Sequence, residues 1–175
     1  MVNRLEALGA EKAHELEQVD RYFAHPARNF AETDEALRVR VQRQGEQALA
    51  AVTYKGPKLD HTTKTRQEIE VPLQAAADAE RFCRLLECLG FRFVLEVRKQ
   101  RTVFQLVETE RAVEVCLDRV DGLGSFVEIE TAADEESQAE AVRVVLELGR
   151  KLGLTETERR AYLELLLEKL EKGVQ

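Results

Sequence analysis

The chain has no tryptophan, and aromatic residues make up only 6% of its 175 positions. A stacking platform for single-stranded nucleic acid is therefore not expected. Cysteine is scarce as well: Cys83 and Cys88 lie five apart, and Cys116 stands alone. No CxxC pair or cysteine–histidine spacing of a zinc site occurs, so these residues read as plain buried thiols. His14, His25 and His61 are scattered, with no nearby Ser or Cys to suggest a triad. No apolar run approaches the roughly 20 residues needed to cross a bilayer. The opening MVNRLEALGAEKAHELEQ lacks the apolar core of a signal peptide. No membrane partner is expected, and the cytoplasm is the expected compartment.

What the chain does have is charge. Charged residues reach 34% and the net charge is −7, which argues against general nucleic-acid binding. The average hides a contrast. Between residues 38 and 66 stand seven basic residues (Arg38, Arg40, Arg43, Lys55, Lys58, Lys64, Arg66) against two acidic ones, Glu46 and Asp60. A focused anion site would have this composition, but so would an accidental cluster, and position on the strands has to decide.

Hydrophobic periodicity predicts one α+β domain over 1–175 with a large antiparallel sheet. Leu5, Leu8 and Leu16 give the segment from Val2 to about Gln18 a roughly helical spacing, interrupted by Gly9. Strands are expected at 19–23, 36–42, 48–55, 66–73, 91–100, 101–108, 112–120 and 126–133. The stretch GPKLDHTTKT (56–65) reads as a polar loop. Helices are expected from Ala75 to Leu89, with Gly90 as stop, and from Glu135 to Leu152, stopped by Gly153. A last helix should begin at Thr155, where Thr155 and Glu158 form a capping box. Its apolar stripe, Tyr162, Leu165, Leu166 and Leu170, suits core packing, with a homodimer seam as the alternative.

Side chains two apart on a strand share a face. Arg38 and Arg40 point together, opposite Val39 and Val41. Arg66, Glu68 and Glu70 oppose Ile69 and Val71. Lys99 and Arg101 form a third pair if one strand continues through them. Glu114, Cys116 and Asp118 oppose Val113, Val115 and Leu117, and Phe126, Glu128 and Glu130 oppose Val127 and Ile129. Each strand thus has an apolar face and a face carrying both signs of charge. A half-exposed sheet with a solvated outer face would explain this. Alternatively the charged face is buried, where unpaired ions would be very costly without a guest to neutralise them. Arg and Lys suit phosphate oxygens, and carboxylates two apart suit Mg²⁺ or Mn²⁺.

An ordered series of residues resembles a known superfamily. It comprises Asp20-x-Tyr22-Phe23, His25-Pro26, Thr33-Asp34-Glu35-Ala36-Leu37-Arg38-x-Arg40, Thr53-Tyr54-Lys55-Gly56, Arg66-x-Glu68-x-Glu70, Lys99-x-Arg101 and Leu123-Gly124-x-Phe126-x-Glu128-Ile129-Glu130. Together these resemble the CYTH superfamily, the triphosphate tunnel metalloenzymes, and the tract from Asp20 to Arg40 is closest to its class IV adenylyl cyclase branch. The resemblance implies an antiparallel β-barrel or tunnel with flanking helices, and a metal-dependent protein acting on ATP or another triphosphate. Arg38, Arg40, Lys55, Arg66, Lys99 and Arg101 would hold the phosphates. Glu128, Glu130 and Asp118 would be metal ligands for Mg²⁺ or Mn²⁺. Lys55, Arg66, Glu68 and Glu70 would serve the chemistry. Cyclisation of ATP to cyclic AMP and pyrophosphate is the first expectation, and hydrolysis of inorganic or thiamine triphosphate the next.

The sequence departs from the family pattern at one place. The family's N-terminal strand carries Glu-x-Glu-x-Lys just before the first helix, and this sequence has no such strand. Glu11-Lys12 and Glu15-x-Glu17 do not supply it, because they fall on or just after the expected helix. A non-catalytic module that binds nucleotide or polyphosphate is therefore a third expectation.

Overall fold

The computed structural model describes residues 1–58, 66–134 and 136–173. Its elements are α1 (Val2–Ala7), β1 (Glu11–Ala24), β2 (Ala36–Gln44), β3 (Gln47–Lys58), β4 (Arg66–Leu73), α2 (Asp78–Cys88), β5 (Arg92–Glu108), β6 (Arg111–Val120), β7 (Gly124–Glu130), α3 (Gln138–Lys151) and α4 (Tyr162–Gly173). The strands form a seven-stranded antiparallel sheet in the order β4-β3-β2-β1-β5-β6-β7. The α+β class and antiparallel sheet are as the sequence predicts.

The chain divides into two compact units, each assembled from three segments. The first comprises Met1–Leu16, Gln100–Arg119 and Gly124–Glu158. Its core joins Leu5 of α1, Phe104 and Leu106 of β5, Val113 and Val115 of β6, and Val144 and Leu148 of α3, with Leu152 just beyond. The second comprises Glu17–Lys99, Val120–Leu123 and Arg159–Gln175. There Phe23, Val39, Ala50 and Val52 from β1–β3 pack against Ala79, Cys83 and Leu86 of α2.

The first helix is much shorter than its leucine spacing predicts. Gly9 takes a left-handed φ of 79°. The Gly9 amide then donates to the Glu6 carbonyl and the Ala10 amide to the Leu5 carbonyl. This is the paired closure that ends a helix at a glycine. From Glu11 the period changes to two, and Leu16, Gln18, Asp20 and Tyr22 alternate inward along β1.

Three other boundaries and one burial pattern differ from expectation. The strands expected at 91–100 and 101–108 are one continuous β5, because Lys99 and Arg101 turn inward instead of marking a turn. Gly56, Pro57 and Lys58 extend β3, where a loop was expected. The remainder of that loop, 59–65 with His61, lies outside the described residues. The last helix starts at Tyr162, not Thr155, so the local capping preference, worth about 1 kcal/mol, does not prevail. Finally, Ile69 and Val71 are 52% and 55% exposed, because β4 ends the strand order and α2 packs on β2 and β3.

On α4, Tyr162 is buried, Leu166 lies against Gly122, and Leu170 is exposed. No helix among the described residues is long and apolar enough to cross a membrane.

Candidate triphosphate site

Within the second unit, strand register assembles a polar face row by row. Tyr22 stands opposite Arg38, Asp20 opposite Arg40, and Gln18 opposite Gln42. Across the next ladder Arg38 faces Thr53, Thr53 faces Glu70, and Lys55 faces Glu68. Opposed residues project to the same side of a sheet, so these side chains form one surface. Much of that surface is buried: Gln18, Asp20, Arg38 and Thr53 are all at most 6% exposed, as is Lys99 of β5. The charged face is therefore interior to this unit across β1 and the middle of β2 and β3, while its β4 edge, with Glu68 and Glu70, is exposed.

Asp20 anchors the cluster. Arg40 donates from Nε to Asp20 Oδ1 at 2.6 Å and from its second terminal nitrogen to Oδ2 at 2.7 Å. Arg38 reaches the same carboxylate at 3.4 Å and the Thr53 hydroxyl at 3.3 Å, both long. The Thr53 hydroxyl in turn donates to Glu70 at 3.0 Å. Burial alone would raise the Asp20 pKa, yet the Arg40 hydrogen bonds and the Arg38 charge bring it down to about 2.

Lys55 donates to Glu68 at 2.5 Å, and Arg66 lies 3.8 Å from the same carboxylate oxygen. Burial and the neighbouring Arg38 charge push the Lys55 pKa down to about 8, although Glu68 opposes this. Lys99 Nζ sits 5.1 Å from the ring centre of Tyr162, a cation–π distance.

Five cations (Arg38, Arg40, Lys55, Arg66, Lys99) thus share a buried neighbourhood with one deeply buried carboxylate, Asp20. Glu68 is 42% exposed and Glu70 is also exposed, so both compensate weakly. In addition, the Nε groups of Arg38 and Arg66 are buried without an acceptor among the described residues. An excess of buried positive charge with spare N–H donors suits a polyanion.

The first unit holds a second cluster. Arg101 donates to both oxygens of Asp118, at 2.7 and 2.6 Å, and also to Glu128. Glu130 stands 3.7 Å from the same guanidinium. Asp118 is fully buried as a side chain, Glu128 is 23% exposed and Glu130 56%. Cys116, on the same strand face as Asp118, has its pKa pushed up to about 12 by burial, and so is an inert thiol.

The oxygen donors of Glu128 and Glu130 fit Mg²⁺ or Mn²⁺, which often take one or two carboxylates and retain several waters. Asp118 fits less well, because both its oxygens are engaged by Arg101. Among the described residues no three acidic, histidine or cysteine side chains converge as a ready metal cage.

Of the residues singled out from sequence, the structure brings Arg38, Arg40, Lys55, Arg66, Lys99, Glu68 and Glu70 together in one unit. Arg101, Asp118, Glu128 and Glu130 meet in the other. Sequence reasoning gave no role to Gln18, Asp20 or Thr53. Their signal was present, since Gln18-x-Asp20-x-Tyr22 alternates polar groups on one face, but burial of that face was needed to see it.

The antiparallel sheet with its flanking helices defines an α+β class of fold. Within that class the chain belongs to the CYTH family, whose CYTH domain model matches residues 1–162. A relative from Methanocaldococcus jannaschii, named "Putative adenylate cyclase MJ0240", is 36% identical over 168 residues, covering 94% of this chain and 90% of that one. "Adenylate cyclase CyaB" of Aeromonas hydrophila is 27% identical over 157 residues, covering 88% and 74%. The solved structure of the PH1819 protein from Pyrococcus horikoshii matches with a TM-score of 0.87 and 43% identity, covering 96% of this chain and 92% of that one.

Proposed function

We propose that the protein binds a triphosphate and, with a divalent metal, converts ATP to cyclic AMP and pyrophosphate. The observation that carries the reading is the buried set of five cations, two of them with Nε donors that find no acceptor among the described residues. The adenylate cyclase names of two relatives support the cyclase chemistry over other uses of a triphosphate.

In this reading Arg38, Arg40, Arg66 and Lys99 hold phosphate oxygens, and Asp20 fixes the Arg40 guanidinium in place. Arg101, held by Asp118, presents charge beside Glu128 and Glu130. Those two glutamates would hold Mg²⁺ or Mn²⁺, which supplies charge neutralisation on the phosphate oxygens. Lys55, whose charge burial disfavours in the free protein, would take up a proton as the polyanion binds and add positive charge to the phosphate oxygens, while the proton of the attacking hydroxyl leaves to water. In cyclisation the ribose 3′-oxygen bonds to the α-phosphorus, the bond to the bridging oxygen breaks, and pyrophosphate leaves. Glu68, bonded to Lys55, and Glu70, bonded to Thr53, orient their partners.

Binding without turnover is the second reading. It is favoured by the engagement of Asp118 with Arg101 and by the lack of a three-ligand cage among the described residues. ATP and tripolyphosphate, offered separately with Mg²⁺ or Mn²⁺, distinguish the outcomes. Cyclic AMP without orthophosphate supports the cyclase, and orthophosphate from tripolyphosphate supports a hydrolase. Thermal stabilisation by both with no product supports a binding module. No stabilisation by either would end the triphosphate reading altogether.

A further inference from the structure

The polar face of the second unit continues past its cations into a neutral row that phosphates do not need. One step beyond the Asp20–Arg40 pair, Gln18 stands opposite Gln42, and Gln42 opposite Leu49. The Gln18 amide donates to Gln42 Oε1 at 2.6 Å. Gln18 is 3% exposed, and its own Oε1 is buried with no partner among the described residues. In this amide orientation the polar atom of the Gln18 carboxamide that is left over is its carbonyl oxygen. A buried carbonyl oxygen without a donor is costly, and so marks a place where a hydrogen-bond donor is missing.

The same row opens at its other end. Leu49 is 65% exposed although it lies on the polar face, and the next residue on that face, Ala51, is small. The row therefore offers an exposed aliphatic side chain, a small neighbour and an amide acceptor. It sits about 7 Å from the Asp20–Arg40 row, the repeat of a strand over two residues. A bare polyphosphate would gain nothing from this surface. A planar heterocycle would lay its face on Leu49 and Ala51 and direct an amino group at Gln18.

We infer that Gln18, Gln42 and Leu49 form a head-group subsite that selects polyphosphates bearing an amino-substituted heterocycle over inorganic ones. This rests on the proposal that the adjacent cations hold phosphates. Gln18 reads the amino group, Gln42 fixes the Gln18 amide, and Leu49 supplies apolar contact. Glutamine reading an adenine edge in nucleic-acid complexes uses the same donor–acceptor match.

The test is a binding titration of the full chain without divalent metal, so that nothing turns over, using tripolyphosphate, ATP and purine riboside triphosphate. The last differs from ATP only in lacking the amino group. Wild type should bind ATP about tenfold more tightly than purine riboside triphosphate. Gln18→Met should abolish that difference while leaving tripolyphosphate affinity within about twofold. Equal binding of the two nucleotides by wild type would overturn the inference. So would a Gln18→Met protein that loses ATP and tripolyphosphate affinity by the same factor, since that is a purely structural effect. Gln42→Met, at a half-buried position, provides the same readout if Gln18→Met does not fold. Failure of tripolyphosphate to bind wild type would sink the phosphate reading instead, and the two nucleotides would still decide the amide row.

Discussion

Asp20 holds Arg40 through both carboxylate oxygens, at 2.6 and 2.7 Å, from the position directly opposite it on the neighbouring strand. The pair is bidentate and planar, and it is almost wholly withdrawn from water. It positions one guanidinium while leaving Arg38, two residues along, only loosely held.

Removing that carboxylate should strip Arg40 of its bidentate acceptor and Arg38 of a buried counter-charge. Asp20→Ala is expected to cost about 3–5 kcal/mol of stability, the usual range for breaking a buried pair. Tripolyphosphate should restore more of the lost stability in the variant than it adds to wild type, because it supplies the missing negative charge. Urea unfolding with and without the ligand measures both effects.

Acid should act through the same residue. The Asp20 pKa is about 2 in the fold and near 3.8 otherwise, so its contribution is present above pH 3.8 and lost as pH falls through 2. That contribution is roughly 2 kcal/mol. Unfolding measured from pH 5 down to pH 2 should show this loss in wild type, and Asp20→Asn should flatten that part of the profile.

Lys55 has the opposite sign. Its folded pKa, about 8, lies below the ordinary 10.5, so its charge costs stability below pH 8 and the cost is relieved as pH rises toward 10.5. A bound polyanion should raise the pKa again. Ligand binding near pH 8 should therefore take up a proton, visible as a buffer-dependent heat in calorimetry, and affinity should fall above pH 8. Lys55→Met should remove the proton uptake and weaken tripolyphosphate binding about tenfold.

The turn between β5 and β6 is a place for a stability gain. Thr109 and Glu110 both take left-handed φ values, 51° and 63°, which a two-residue hairpin of this hand requires. Neither residue type favours that region. Replacing them with Asn and Gly should raise the melting temperature, corresponding to about 1 kcal/mol.

The sequence by itself determined the elements with the clearest alternation. The strand from Arg66 to Leu73 was legible residue for residue, because RQEIEVPL alternates without interruption. The pairing of Arg38 with Arg40, and of Glu128 with Glu130, was legible for the same reason. Local cues failed where tertiary partners outweighed them. The leucine spacing of the N-terminus suggested a long helix, but Gly9 closes it and β1 finds its partner in β2. Thr155 had the chemistry of a cap, yet the helix waits for Tyr162, which lies over Lys99.

Only the tertiary structure decided which face of the strands is buried. Periodicity places Arg38, Arg40, Glu68 and Glu70 on one side of their strands, but a period of two is the same whether that side meets water or not. Cross-strand register then put Asp20 between two arginines and left Gln18 short of a donor, and register depends on residues far apart in the chain. The charged interior was written as an alternation of signs. Its excess of cations, and the neutral row beside them, came from burial.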